Sequence, residues 1–115
     1  VEEFEMEISV VDRNIDLTAK QKDLVDRQID YSFDRFESHI RSVEVLLNDV
    51  NGPKGGSDIQ CRVRLLLHSK GEILVEGRDV SVETAVAGVI DRASIAVARR
   101  LERLKDSQGT SMSGQ

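Results

Sequence analysis

Cysteine and proline each occur once in this chain, tryptophan is missing, and aromatic residues make up only 3% of it. A single Cys forms no internal disulfide. Cys61 lies in an apolar run with no second thiol near it, which fits a reducing compartment, argues against a structural zinc site and reads as a buried small hydrophobe. No stretch approaches the ~18 consecutive apolar residues of a membrane span. The acidic opening Val1 to Glu7 also lacks the basic and apolar regions of a signal peptide. The expectation is a cytoplasmic protein with no membrane partner, whose first residue, not Met, implies trimming or a start inside a longer product. His39 and His68 are the two histidines, and neither has H-x-x-x-H or Cys/His metal-ligand spacing. Carboxylates are plentiful but fall on solvent-type faces with nothing to raise a pKa, and no nucleophile stands with a base. These absences exclude a recognisable catalytic or metal centre, so the expectation is a non-enzyme without cofactor.

What is present fits one globular domain over residues 1–106. The chain has 115 residues, 39% of them apolar, and a chain of this size buries roughly two-thirds of the surface it exposes when unfolded. Residues 107–115 are polar, small and Gly-containing, with too little apolar surface to repay ordering, and are expected to form a disordered tail. The net charge of −5 taken alone argues against a nucleic-acid partner. Its distribution is uneven, however: residues 1–50 carry 13 acids and 6 bases, residues 51–115 carry 8 acids and 10 bases. Placement matters more than the sum.

Phe4, Met6, Ile8 and Val10 alternate with polar residues, as on a strand with one buried face. Thr18 followed by Gln21 has capping-box spacing, so a helix starts there. Leu24, Val25, Ile29, Phe33, Phe36 and Ile40 continue its apolar stripe at three- and four-residue steps. Val43, Val45 and Leu47 mark a second strand, Asn51 to Gly56 an exposed hairpin loop, and Ile59, Cys61, Val63, Leu65 and Leu67 a third strand. Ser69-Lys70-Gly71 turns the chain into a fourth strand carrying Ile73 and Val75 inward and ending near Gly77. Asp79 or Ser81 then caps a second helix from Val82 to Lys105. The spacing predicts an α+β fold, β-α-β-β-β-α, with a four-stranded mixed sheet and both helices on one face. A right-handed crossover makes the first two strands parallel, and short connections make the rest an antiparallel meander.

On a helical wheel Arg92, Arg99 and Arg103 fall in one narrow stripe beside the apolar face, with Arg100 and Lys105 at the same end. Guanidinium groups suit phosphate because each presents a planar fork of donors and stays charged. Lys20, Arg27 and Tyr31 share a similar stripe on the first helix, and two such ridges on neighbouring helices would border a groove. The same residues equally fit the solvated polar sides of amphipathic helices. Asp23, Asp26, Asp30, Asp34 and Glu37 form an adjoining acidic stripe that a phosphate-binding face tolerates poorly, unless it pairs with Arg27 and Arg35. The loop Asn51 to Gly56 lacks P-loop spacing and reads as plain structure.

Ile8 with Arg13-Asn14-Ile15-Asp16-Leu17-Thr18, then Phe33-Asp34-Arg35-Phe36, Val75-Glu76-Gly77-Arg78-Asp79, Ala85-Val86 and Asp91-Arg92 resemble a known family. It is that of the ribosome hibernation-promoting factors and ribosome-associated inhibitors, also called sigma-54 modulation proteins. The resemblance covers about residues 5–105, and Asn51 to Gly56 through Asp58 to Cys61-Arg62-Val63 looks like a signature of one short, single-domain branch. It implies a fold shaped like double-stranded-RNA-binding domains and a ribosome partner. Such proteins occupy the decoding channel of the small subunit and silence idle ribosomes without catalysis. By the resemblance, Lys20, Lys22 and Arg27 on the first helix and Arg92, Arg99, Arg100 and Arg103 on the second would contact ribosomal RNA. This sequence departs from the family in placing five acids along the first helix, which implies weaker and more salt-sensitive binding. A different class of function stays open: a protein-interaction or homodimerising module using the acidic first helix or the outer sheet face, where Leu46, Leu66 and Leu74 point.

Overall fold

Period-two alternation is clearest in the stretch after the Gly-rich loop, where Ile59, Cys61, Val63, Leu65 and Leu67 are all buried and the residues between them are not. In the computed structural model, residues 6–51 and 58–113 are described, with 106–113 described for their backbone alone. The elements are β1 (Glu7–Arg13), α1 (Ala19–Phe33), β2 (Ile40–Asp49), β3 (Ile59–Leu67), β4 (Glu72–Asp79) and α2 (Val82–Ser113), with one 3-10 turn at Asp34–Phe36 after α1. This is the β-α-β-β-β-α order read from the sequence. The sheet runs β1-β2-β3-β4, parallel between β1 and β2 and antiparallel elsewhere.

One core joins the two layers. Val43, Val45 and Leu47 of β2 and the five inward residues of β3 meet Val25, Ile29 and Phe33 of α1 and Val82, Val86, Val89, Ile90, Ala93 and Val97 of α2. Each helix turns one apolar stripe to the sheet, so both lie on the same face, with α2 over β3 and β4 and beside α1.

Local chemistry sets the boundaries. Thr18 Oγ1 accepts from the Gln21 backbone N–H at 3.0 Å while Gln21 Oε1 accepts from the Thr18 N–H at 3.0 Å, a complete capping box. Ser81 Oγ accepts from the Thr84 N–H at 3.2 Å ahead of α2. The apolar stripe predicted to run on to Ile40 ends sooner: α1 stops at Phe33, and Ile40 opens β2. Strict alternation would put Ile40 and Val43 on opposite faces, yet both are buried. A register shift reconciles them, since two residues of β2, Arg41 and Ser42, advance against a single step from Leu67 to Leu66 on β3. Phe4 of the first strand and positions 52–57 of the expected loop lie outside the described residues, although Val50 N–H donates to the Asp58 carbonyl at 3.0 Å across the hairpin. The helical backbone of α2 continues to Ser113. Once a helix is nucleated in a packed body, each added residue needs only one further hydrogen bond to propagate it.

Gly77 fixes how closely α2 approaches β4. A Cβ there would stand 2.8 Å from Val89 Cγ2 and would also strike the Arg92 guanidinium. Gly88, on the exposed side of α2, has open space where a Cβ would go. Gly77→Ala should therefore cost about 1–3 kcal/mol of stability through overpacking. Gly88→Ala should add about 0.5–1 kcal/mol through helix propensity. Urea unfolding of the two variants checks the opposite signs.

Candidate nucleic-acid interface

The arginines of α2 are positioned by β4. This is an edge strand, and its outward carbonyls have no strand partner, so they accept from whatever donor lies over the edge. Arg92 Nη2 donates to the Glu76 carbonyl at 3.1 Å, and Arg100 Nη2 to the Glu72 carbonyl at 3.5 Å. Gly71, whose φ of +127° few other residues adopt, leaves room for the second: a Cβ there would stand 2.8 Å from Arg100 Nη1. Helical geometry puts Arg99 and Arg103 on the same flank. Both are exposed and have no ion-pair partner among the described residues. The stripe is thus real, but two of its guanidiniums serve the fold while two are uncommitted.

On α1 the cations do not form a matching ridge. Lys20 and Arg27 border a shallow groove with Thr18, Gln21, Leu24 and Glu83 of α2. Gln21 Nε2 donates to Glu83 Oε2 across it at 3.4 Å. Arg27 is already engaged by Asp23 one turn earlier, with Nε donating to Oδ2 at 3.1 Å and Nη2 to the same oxygen. That hydrogen bond and the carboxylate charge hold the guanidinium pKa above its ordinary value. Lys22 lies on the opposite flank with Val10 and Asp12 of β1, Leu17 and Asp26. The groove between two basic ridges suggested by the wheel is therefore not formed. The α2 stripe turns away from α1 toward β4, because the carbonyls that anchor it are there. Asp26 faces the β1 side together with Lys22, helical spacing sets Asp30 on the same flank, and Asp23 is taken up by Arg27, so the β1 side of α1 carries the carboxylates and the β4 side of α2 the uncommitted arginines.

Three further cations lie at the basic end. Arg35 and Lys105 border a depression floored by Phe36, Ala98 and Leu101 and closed by Glu102. The Arg35 Cζ stands 4.6 Å from the centre of the Phe36 ring, a cation–π arrangement that fixes the guanidinium. Lys70, in the β3–β4 turn with φ of 69°, precedes the glycine beneath Arg100. Sequence reasoning used Arg35 only as a partner for acids. The adjacency of Arg35 and Phe36, with Leu101 and Lys105 four apart on α2, is the signal that could have joined them.

Among the described residues the one strongly shifted thiol lies in the core, away from these cations' exposed ends. Burial pushes the Cys61 thiol up to about 12, with Arg92 pulling weakly the other way, so the nucleophilic thiolate is not formed near neutrality. Among the described residues no buried side-chain nitrogen or oxygen lacks a partner, and no three His, Cys, Asp or Glu side chains are grouped to hold a metal. Among them, too, no helix is long and apolar enough to cross a membrane.

Residues 8–107 match the model of the family described as Sigma 54 modulation protein / S30EA ribosomal protein. The chain belongs to this family. Among solved structures it is similar to the Protein Y N-terminal domain of Thermus thermophilus, with a TM-score of 0.67 and 23% identity over 82% of this chain and 98% of that one. It is similar also to a ribosomal subunit interface protein from Coxiella burnetii, with a TM-score of 0.68 and 10% identity over 84% and 99% of the two chains. At these identities the likeness is one of fold. No curated protein matches the sequence.

Two predictions separate structural from uncommitted groups at this S30EA-family site. Arg92→Ala and Arg100→Ala should each lower stability by about 0.5–1 kcal/mol, since an edge carbonyl is deprived of its donor. Arg99→Ala and Arg103→Ala should stay within about 0.5 kcal/mol of the parent. Denaturant midpoints for the four variants provide the comparison. For Cys61 the folded-state pKa is raised, so the neutral thiol's contribution is complete below the unfolded pKa and is lost as pH climbs toward about 12. The stability gap between the parent and Cys61→Ala should accordingly narrow between about pH 9 and pH 12. A gap that stays constant in urea titrations across that window would contradict the raised pKa.

Proposed function

We propose that this protein is a non-enzymatic, ribosome-binding translation regulator of the hibernation type. It acts in the cytoplasm and occupies the decoding channel of the small subunit through basic residues on its helical layer. The observation that carries this is the basic end of α2. Arg99 and Arg103 are exposed and have no ion-pair partner among the described residues, Arg100 reaches the Glu72 carbonyl of β4, and Arg35 and Lys105 extend the patch across Phe36 and Leu101. Family membership supports the same reading.

The chemistry is that of a polyanion. Arg100 gives one donor to a backbone carbonyl and keeps others for phosphate oxygens, so its fork is pre-organised before binding. Each phosphate neutralised releases condensed counterions, which supplies affinity and makes it salt-dependent. The acidic flank of α1 is repelled by the same RNA. It therefore orients the molecule, with the α2 flank toward phosphate and Asp26 and Asp30 away from it. In this arrangement Arg92, Arg99, Arg100 and Arg103 make the principal contacts. Lys20 and Arg27 meet the RNA only at the other end of the helical layer, with Lys22 peripheral. The outer sheet face takes no part.

Co-sedimentation with separated small subunits through sucrose tests the proposal. The parent should travel with the subunits at low salt and dissociate progressively as salt rises. Arg99→Glu/Arg103→Glu, which leaves the β4 anchors intact, should bind at least about tenfold more weakly, with a salt slope lower by roughly 0.7–0.9 for each phosphate that is no longer neutralised. Undiminished binding by that variant would remove α2 from the interface. Failure of the parent to bind at low salt would remove the ribosome as partner.

A further inference from the structure

The outer face of the sheet is covered by neither helix, and the strand registers make it a grid. At one end a row runs Glu7, Ser42, Leu66, Glu72; at the other end it runs Arg13, Asn48, Gln60, Arg78. Both corners of the first row are acidic and both corners of the last are basic. Arg62 pairs with Glu76 at 2.5 Å and Arg64 with Glu44 at 3.5 Å, and the two β4 corners already have partners within the chain, Glu72 in Arg64 at 3.0 Å and Arg78 in Asp58 at 3.3 Å, so the β1 corners carry the uncompensated charge. Apolar surface fills the middle: Leu46 is half-buried, while Val11 is 46% and Leu74 52% exposed. Glu7 and Arg13 have no ion-pair partner among the described residues. They are six residues apart on one extended strand, about 20 Å, and so cannot reach each other.

We propose that this face binds a second copy of the chain, the two sheets stacking face to face about a twofold axis that lies across the strands. Rotation about an axis within the face preserves the hand of the sheet twist, so the two saddle-shaped surfaces are congruent and can stack as aligned sheets do. Two such axes exist, and the corner charges choose between them. An axis along the strands sets β1 over the partner's β4 and keeps the ends in register, which brings acid onto acid and base onto base. An axis across the strands sets β1 over β1 and reverses the ends. Glu7 then faces Arg13 of the partner subunit, Glu72 faces Arg78 of the partner subunit, and each contact occurs twice by symmetry. The unpaired charges of β1 thereby gain partners, and the apolar middle is buried against its own copy. Four strands by four rows span about 19 by 24 Å, a patch smaller than the ~800 Å² per partner of a standard interface. The association is therefore weak and concentration-dependent.

Sedimentation equilibrium of the full chain at low salt, from about 10 μM to about 1 mM, reads it directly. The parent should pass from monomer to dimer over that range. Glu7→Arg and Arg13→Glu should each weaken self-association at least about tenfold, because each sets like charges over one another. An equimolar mixture of the two should dimerise again. In the mixed dimer the guanidinium introduced at position 7 of one variant meets the carboxylate introduced at position 13 of the other, and the unchanged residues also pair. Both substituted positions are exposed, so folding is not at stake, and the mixture serves as its own control. A parent that stays monomeric at the highest concentration would overturn the proposal. So would single variants that associate like the parent, or a mixture that remains monomeric. Tighter association of Glu7→Arg would point to the axis along the strands and overturn the geometry proposed here.

Discussion

Two helices have to bury their apolar stripes on one face of a four-stranded sheet, and everything else in the molecule follows from how they share it. The right-handed β1-α1-β2 crossover commits α1 to the side of the inward residues of β2. What then remains uncovered is the inner surface of β3 and β4, including Val63, Leu65 and Ile73, and α2 has no other apolar surface to meet. Its depth of approach is set where Val89 enters the space that a side chain at position 77 would fill. That contact brings Arg92 within reach of the Glu76 carbonyl, and two turns later Arg100 within reach of Glu72. The orientation of the basic flank is thus a consequence of core packing rather than a separate feature of the surface.

The same placement explains why the net charge says little about binding. Asp26 and Asp30 of α1 lie on the β1 side and the arginines of α2 on the β4 side, separated by roughly two helix diameters, or about 20 Å. Screening at physiological salt acts over about 8 Å, so the two flanks do not cancel. A ligand at the α2 flank experiences Arg99, Arg103 and their neighbours, and not the chain average of −5.

Much of this is legible in the residues. Thr18 and Gln21 announce the first helix, the alternation through Ile59 to Leu67 announces β3, and the order of elements requires only short connections and one crossover. Ile40 falls on the helix by its spacing from Phe36, and only a bulge at Arg41 returns it to the core as a strand residue. The arginine stripe is visible on a wheel, but a wheel gives an angle about the helix axis and not what lies at that angle. Whether Arg92 looks toward α1 or toward an edge strand depends on the order of strands in space. For the same reason Arg35, distant in sequence from Lys105, is joined to it only through Phe36 and Leu101, which the fold brings together.

The helical layer and the outer sheet face are separated by the sheet and the core, roughly 10 Å of packed protein. Glu72 and Glu76 touch both faces, since their carbonyls accept from Arg100 and Arg92 while their carboxylates pair with Arg64 and Arg62, but Arg99 and Arg103 share no partner with Glu7 and Arg13, so the effects of substitutions at those two pairs should add. Stacking about an axis across the strands gives a layer order of helix, sheet, sheet, helix, and because that axis reverses strand direction it also reverses α2. Two copies joined in this way hold their basic ends on opposite layers and pointing apart. Each can then meet its own polyanion, but no single short RNA reaches both. Dimer formation would therefore leave the affinity of each basic end for RNA unchanged, since avidity requires a ligand that spans the two sites. The charges at Arg99 and Arg103 and those at Glu7 and Arg13 could then be altered separately.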